Sequence, residues 1–137
     1  MAKVRTGDVE QKEKYKIIGE FHEIVSSLRT KKEVVDFFVG LFSGSETLMM
    51  ARRIQIAKLI TKGASYEDIR SKLKVGFDTI RRTDLWLNGE DENYNLWINK
   101  CIKKLEDKEN QKNTKQNKST NSLDKYAHHR LLKKIIS

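Results

Sequence analysis

Apolar residues recur at helical spacing along most of this chain, and no run alternates apolar and polar residues as a half-buried strand would. Residues 15–29 carry an apolar stripe wide enough to need burial, and residues 30–42 are apolar on most sides. Residues 46–62 form a third helical pattern, which ends at Gly63, a residue favoured just past a helix terminus. Proline is absent, so nothing interrupts these patterns. The sequence therefore predicts an all-α protein.

Residues 65–88 have the pattern of a helix-turn-helix. Ser65 with Asp68 three residues later indicates a capped helix start. The apolar periodicity breaks around Gly76 and resumes in a second helix that begins near Phe77. Two helices joined by a three- or four-residue turn containing Gly are the arrangement that places a recognition helix in the major groove of DNA.

Side chains suited to DNA contact lie on and just before the second helix of this motif. Arg is the commonest partner of guanine, Thr can meet the thymine methyl group, and Asp can accept a hydrogen bond from cytosine N4. Asp78 is expected either to repel phosphates or to select a C·G pair. Lys74 stands in the turn where such motifs often have Gly, which predicts mild left-handed strain. The residues predicted to read bases are Arg70, Phe77, Asp78, Thr79 and Arg81, and those predicted either to position phosphates or to stay solvated are Arg53, Lys58, Lys62, Lys72 and Lys74.

The net charge agrees with a nucleic-acid partner. The chain has 28 Lys and Arg against 19 Asp and Glu, a formal charge of +9. Residues 52–82 hold nine basic and three acidic residues, which gives +6 in and just before the motif. Clustered cations release counterions when they meet phosphates. The alternative is a protein-interaction module in which the helix-turn-helix is structural and a basic tail docks an acidic partner or a membrane surface.

The ends of the chain differ in composition from its centre. Residues 1–14 are polar and predict a loose leader, whereas residues 15–107 form the predicted DNA-binding and dimerisation domain. Residues 108–121 contain no apolar residue and predict a flexible, disordered polar linker. Residues 122–137 combine a set of apolar residues with several basic residues, which predicts a short basic amphipathic helix. The packing face predicted for the last helix of the domain comprises Leu96, Trp97, Cys101, Ile102 and Leu105.

Several classes of protein are disfavoured by the composition. Cys101 is the only cysteine, which excludes an intramolecular disulfide and a thiolate metal cage. The three histidines belong to no catalytic pairing, and no Gly-rich phosphate loop occurs, so an enzyme is not expected. No metal site is predicted, because the adjacent His128 and His129 would point apart on a helix. No apolar stretch has the length of a membrane span or a secretory signal, so we expect a cytoplasmic protein.

The second predicted helix, residues 30–42, indicates how the chain assembles. A helix that is apolar nearly all round must be covered, and a chain of 137 residues with 34% charged residues has little surface with which to cover it. A second subunit would supply that cover. The sequence therefore predicts an intertwined homodimer.

Over residues 15–106 the chain resembles the tryptophan-repressor superfamily, most of all its short repressor-like members of uncertain effector. The resemblance rests on an ordered pattern: a helix that leads to Gly63, a Ser-led helix, a Gly-bearing turn, a Thr-Ile-x-Arg recognition helix, and a last helix with Trp97. It implies a six-helix, interlocked homodimer that binds a roughly palindromic operator as a transcriptional repressor. The two recognition helices of such a dimer would lie about 34 Å apart.

The resemblance also locates a candidate effector pocket. Arg52 and Arg82 stand where tryptophan-binding members have the two arginines that flank the indole and hold the carboxylate. Phe42, Thr83 and Trp86 stand where those members have Thr, Gly and Ser, so L-tryptophan or a related amino acid is a possible effector that these three residues disfavour. A further hypothesis places Trp86 against one of the two arginines in a cation–π contact, and the alternative is ordinary core packing of Trp86.

Overall fold

A computed structural model describes residues 5, 7, 9–114, 126, 129–130 and 132–134 of the chain. The described part is helical and contains no strand, which confirms the all-α prediction. Within residues 11–114 the helices are α1 (Gln11–Ser27), α2 (Lys31–Leu41), α3 (Gly44–Thr61), α4 (Tyr66–Leu73), α5 (Phe77–Leu87) and α6 (Glu92–Thr114), and the described residues near the C-terminal end are helical too.

Helices α1 and α6 extend beyond their predicted bounds by four residues or more. Helix α1 begins at Gln11, within the segment expected to be a loose leader. Helix α6 continues to Thr114, so residues 108–114 of the expected disordered linker are helical. This extension is anchored from outside, because Lys58 of α3 forms a 2.6 Å ion pair with Glu109. Residues 115–125, which cover the rest of the predicted linker, lie outside the described part.

Side-chain caps set the starts of α2, α3 and α4. The Thr30 hydroxyl accepts from the backbone N–H of Glu33. Ser43, which precedes the predicted helix 46–62, caps α3 in a full capping box: its hydroxyl accepts from the N–H of Glu46, and the Glu46 carboxylate accepts from the N–H of Ser43 at 2.8 Å. Because two unpaired N–H groups are satisfied at once, α3 starts two residues earlier than predicted.

The end of α3 is a Schellman motif. The N–H of Ala64 donates to the carbonyl of Leu59 at 3.1 Å, and the N–H of Gly63 donates to that of Ile60 at 2.9 Å. Gly63 has a φ of +82°, which a residue without Cβ adopts at little cost. The predicted helix stop is therefore confirmed, and it turns the chain directly into α4.

Three isoleucines from three helices form the centre of the helix-turn-helix. Ile56 of α3, Ile69 of α4 and Ile80 of α5 are fully buried and lie in one cluster. Full burial of each such side chain contributes about 1.5–3 kcal/mol. Partly buried apolar residues surround the cluster, namely Leu59, Ile60, Ala64, Leu73 and Val75. This cluster holds α4 and α5 against α3.

A second cluster joins α3, α5 and α6. Ala57, Leu87, Ile98 and Ile102 are buried in it. The packing face predicted for α6 was therefore wrong except for Ile102. Of the predicted residues, Leu96 is 73% exposed, and Trp97, Cys101 and Leu105 are exposed as well. Ile98 and Ile102 are four residues apart on one side of α6, and that side is the one that meets α3 and α5.

The first two helices bury no side chain completely. Rings of Phe21 and Phe37 lie 6.4 Å apart between α1 and α2, but much of the apolar surface of both helices is open. The exposed large apolar residues of α1, α2 and the first half of α3 include Ile17, Ile18, Phe21, Ile24, Val34, Leu41, Leu48, Met49 and Met50. A surface of this kind is more typical of an interface than of a solvated face.

The turn of the helix-turn-helix depends on a strained residue. Lys74 has φ 54° and ψ 47°, the left-handed conformation expected from its position, and its N–H donates to the carbonyl of Arg70 at 2.8 Å. A residue with a Cβ loses about 1–2 kcal/mol there. The local bend between α4 and α5 is thus obtained against the intrinsic preference of the residue.

Ile80→Ala should lower the free energy of unfolding by about 2–5 kcal/mol, because it leaves a cavity among fully buried isoleucines. The neighbouring variant Thr79→Ala, at an exposed position of the same helix, should change it by less than about 0.5 kcal/mol. Urea unfolding followed by circular dichroism measures both. Equal effects of the two variants would contradict the assignment of the core.

Lys74→Gly should raise the free energy of unfolding by about 0.5–1 kcal/mol, because relief of left-handed strain exceeds the extra entropy of Gly in the unfolded chain. Lys72→Gly removes the same charge two residues earlier, inside α4, and should lower it by about 1 kcal/mol. The same denaturant titration compares the two variants. A loss of stability in Lys74→Gly would refute the strain.

Candidate nucleic-acid interface

Helix α5 has one buried and one open face. Ile80, Thr83 and Leu87 point into the protein, with Ile80 and Leu87 fully buried and Thr83 only 4% exposed. Other positions of the helix face outward: Phe77 is 43% exposed, and the Arg81 side chain is 61% exposed. The start of the predicted recognition helix is therefore exposed at the protein surface.

Asp78 organises two arginines on this open face. One carboxylate oxygen accepts from Arg81 Nη2 at 3.1 Å, and the other accepts from Arg82 Nε at 2.9 Å. Exposed pairs three and four residues apart stabilise a helix by only about 0.2–0.5 kcal/mol each. They do restrict the rotamers of both guanidinium groups. In this structure Asp78 therefore pairs with two arginines of its own helix, a role that was not predicted from the sequence.

Arg70 and Phe77 form a contact across the turn. The Arg70 guanidinium carbon lies 4.7 Å from the centre of the Phe77 ring, within the range of a cation–π interaction. Both residues are exposed, one near the end of α4 and the other at the first position of α5. The structure thereby places the predicted base-reading residue of α4 directly beside the start of α5.

Tyr66 and Asp84 tie the two helices of the motif together at the other end. The Tyr66 hydroxyl donates to the Asp84 carboxylate, and this hydrogen bond is the main cause that raises the pKa of Tyr66. The partners are 18 residues apart in the chain, and no local pattern would have paired them. With the Arg70–Phe77 contact, this bond holds α4 against α5 on the outer surface of the motif.

The residues predicted to meet phosphates lie on three different elements. Arg53 belongs to α3, Lys72 to α4 and Lys74 to the turn, and all three are exposed. Lys58 differs from them, because its side chain is 20% exposed and is paired with Glu109. Lys62, at the end of α3, is exposed as well. Arg53, Lys62, Lys72 and Lys74 are therefore exposed cations, whereas Lys58 pairs with an acidic residue of α6.

The residues of the candidate effector pocket do not share a described contact. Arg52 donates to Gln55 on its own helix, and Phe42 packs on Phe38 at the end of α2. Thr83 is buried, with its hydroxyl donating to the carbonyl of Thr79 at 2.8 Å. The structure brings together neither the two arginines nor the aromatic residues by a described hydrogen bond, ion pair or ring contact.

Trp86 is partly buried and packs on the cluster of α3, α5 and α6. Its indole N–H donates to the Tyr94 hydroxyl at 2.7 Å, so its polar group is already satisfied. The cation–π contacts among the described residues involve Arg70, Lys32 and Arg130, not Arg52 or Arg82. Trp86 thus follows the core-packing alternative rather than the cation–π hypothesis.

The turn between α5 and α6 is closed by two asparagines. Asn95 accepts from the N–H of Gly89 and donates to its carbonyl, and Asn99 donates to the carbonyl of Leu87 at 2.9 Å. A Cβ at Gly89 would lie 2.7 Å from the carbonyl oxygen of Leu85, so only Gly fits. These bonds fix the direction in which α6 leaves α5.

The described part of the chain offers neither a metal cluster nor a membrane span. No group of three or more His, Cys, Asp or Glu side chains there could hold a metal ion. No described helix is both long and apolar enough to cross a membrane.

A comparison with known protein families matches residues 16–103, from the first turns of α1 into α6, with the family described as Trp repressor protein. The chain belongs to the Trp repressor family. Members of this family are helix-turn-helix DNA-binding regulators rather than enzymes. Searches of curated proteins and of solved structures found no match. The family match stops before the described residues at the C-terminal end.

Proposed function

We propose that this protein is a sequence-specific transcriptional repressor that reads a roughly palindromic operator as a homodimer. The observation that carries the proposal is the two-faced helix α5, in which Ile80 is fully buried while Arg81 and Phe77 are open. Membership of the Trp repressor family supplies the general class, and the geometry of α5 supports its use as the recognition helix.

Base reading is assigned to the first turns of α5. Arg81 is the candidate for guanine, since its fork of donors matches the O6 and N7 acceptors, and Thr79 is the candidate for a thymine methyl group. Arg70 and Phe77 would enter the groove as a stacked pair. Asp78 is assigned to hold Arg81 in place, and it also limits unspecific contact because it repels phosphates.

Phosphate contacts are assigned to Arg53, Lys72 and Lys74. These side chains are exposed and belong to α3, α4 and the turn of the motif, and exposed cations of this kind can set the register of a protein on the duplex. The formal charge of +9 adds a sequence-independent attraction that weakens with salt.

The dimer is supported by the apolar surface of the first two helices. Ile18 and Ile24 are each 50% exposed, and Leu41 is 51% exposed. A second copy would remove this surface from water at about 25 cal/mol per Å². A symmetric pair would present two copies of α5 to successive major grooves.

Arg81→Ala should weaken binding to the selected operator by about 1–3 kcal/mol, roughly 5- to 150-fold, and should relax the base preference at one position of each half-site. Arg29→Ala removes the same charge between α1 and α2 and should weaken binding only slightly. The operator comes from selection of bound sequences from a random DNA pool, and affinity is measured by fluorescence anisotropy at several salt concentrations. Weak binding by the parent that is lost uniformly with salt would instead favour a protein-interaction module.

Addition of L-tryptophan should change operator affinity by less than about twofold. Phe42, Thr83 and Trp86 replace the Thr, Gly and Ser of tryptophan-binding members, and the Trp86 indole N–H is already bonded to Tyr94. A free amino acid that lost a partner for its ammonium group would bind about 1–3 kcal/mol more weakly. The same anisotropy titration at saturating tryptophan checks this expectation. A tenfold rise in affinity would establish tryptophan as the effector.

A further inference from the structure

The C-terminal segment, here residues 126, 129–130 and 132–134, lies against α2. The Tyr126 hydroxyl and Arg130 Nη1 both donate to one oxygen of the Asp36 carboxylate, each at 2.5 Å. The other oxygen accepts from Lys32 Nζ at 3.0 Å. Two cations and a phenol thus converge on a single carboxylate of α2. They hold the pKa of Asp36 down at about 2, chiefly through the hydrogen bond from Tyr126 and then through that from Lys32.

A second contact lies further along the same helix. Lys134 Nζ donates to the carbonyl oxygens of Val39 and Gly40, and the latter distance is 3.3 Å. These carbonyls belong to the last turn of α2, where no intrahelical partner exists and where the helix dipole favours a cation. Helix α2 has no basic residue of its own in its last turn. Lys134 supplies the missing charge.

The spacing of the contacts matches on both sides. Residues 126, 130 and 134 are four apart, so they share one face of a helix. Residues 32, 36 and 40 of α2 are also four apart and share one edge. The two edges therefore meet over two successive turns, which a chance contact at one side chain would not produce.

We propose that the polar edge of α2, formed by Lys32, Asp36 and the carbonyls of Val39 and Gly40, is a docking surface whose occupant is the chain's own C-terminal segment. This latch lies outside residues 16–103, which match the Trp repressor family. Twelve positions separate Thr114 from Tyr126, a connection that reaches up to about 40 Å when extended. Such a tether favours the protein's own α2 over that of a second copy.

The latch has a consequence for charge, which rests on the proposed DNA-binding function. While the segment is docked, Arg130 is neutralised by Asp36 and Lys134 is engaged by the end of α2. Both cations are then withheld from phosphates. The latch leaves the apolar side of α2 open, because Val34 and Leu41 are 39% and 51% exposed. Docking and dimer formation can therefore coexist.

Amide hydrogen exchange of residues 31–41 tests the latch in the full chain without any ligand. Lys134→Ala and Arg130→Ala should speed exchange in the last turns of α2 about three- to tenfold. Lys133→Ala removes the same charge from an exposed neighbour that makes no described polar contact, and it should exchange like the parent. Equal exchange in Lys133→Ala and Lys134→Ala would overturn the docking. The difference should persist on 20-fold dilution, and its loss would place the segment on a second copy and overturn the assignment of the occupant.

Binding to a duplex of arbitrary sequence at low salt tests the withholding of charge. Asp36→Asn should raise affinity about three- to tenfold, because it breaks the ion pair with Arg130 and so weakens docking of the whole segment, which also releases Lys134. The same substitution in a chain that also carries Arg130→Ala and Lys134→Ala should raise it much less. Equal gains in the two backgrounds would overturn the withholding. A parent that binds no DNA would refute the proposed function alone, since the exchange measurement still decides whether the latch exists.

Discussion

The burial of Ile56, Ile69 and Ile80 against one another is the interaction on which the rest of the structure depends. Each residue comes from a different helix, so the cluster sets the positions of α4 and α5 relative to α3. Its burial also decides which side of α5 is left for a partner, because a helix that turns Ile80 inward must turn Thr79 and Arg81 outward. The proposed recognition surface is therefore the side of α5 opposite its buried residues. Hydrogen bonds on the outer surface, such as that of Tyr66 with Asp84, further fix the orientation of α4 relative to α5, which apolar packing already sets.

The cations of this protein fall into two groups according to their exposure and their acidic partners. Several cations of the helix-turn-helix are exposed, and on α5 Asp78 holds two arginines through weak, exposed ion pairs. Such pairs are easily exchanged for stronger contacts with phosphates or base edges, since solvent already screens them. Lys58 and Arg130, which are less exposed, have acidic partners within the chain and serve its own packing. Exposure and pairing together separate cations available to a partner from those that stabilise the fold.

Helices α1 and α2 offer surfaces for more than one contact. Their apolar surface is left largely open, which is consistent with the proposed dimer. The polar edge of α2 carries Asp36 and meets the C-terminal segment. Because the apolar side and the polar edge are different sides of one helix, each can be occupied without the other. The contribution of α1 and α2 to the free energy of folding then depends more on contacts with other segments or subunits than on packing between the two helices.

Local features could be predicted from the sequence alone. The all-α fold, the helix-turn-helix, the stop at Gly63, the left-handed Lys74 and the cap at Thr30 each depend on residues within a few positions of one another, where capping and backbone preferences act. Only the tertiary structure decided which side of α6 packs. The positions of α3 and α5 bury Ile98 and Ile102 and leave Leu96 and Trp97 exposed. It also decided the extension of α6, which rests on Lys58, and the docking of Arg130 on Asp36. These contacts join residues 51 and 94 positions apart, and apolar periodicity says which residues need partners but not which partners they find.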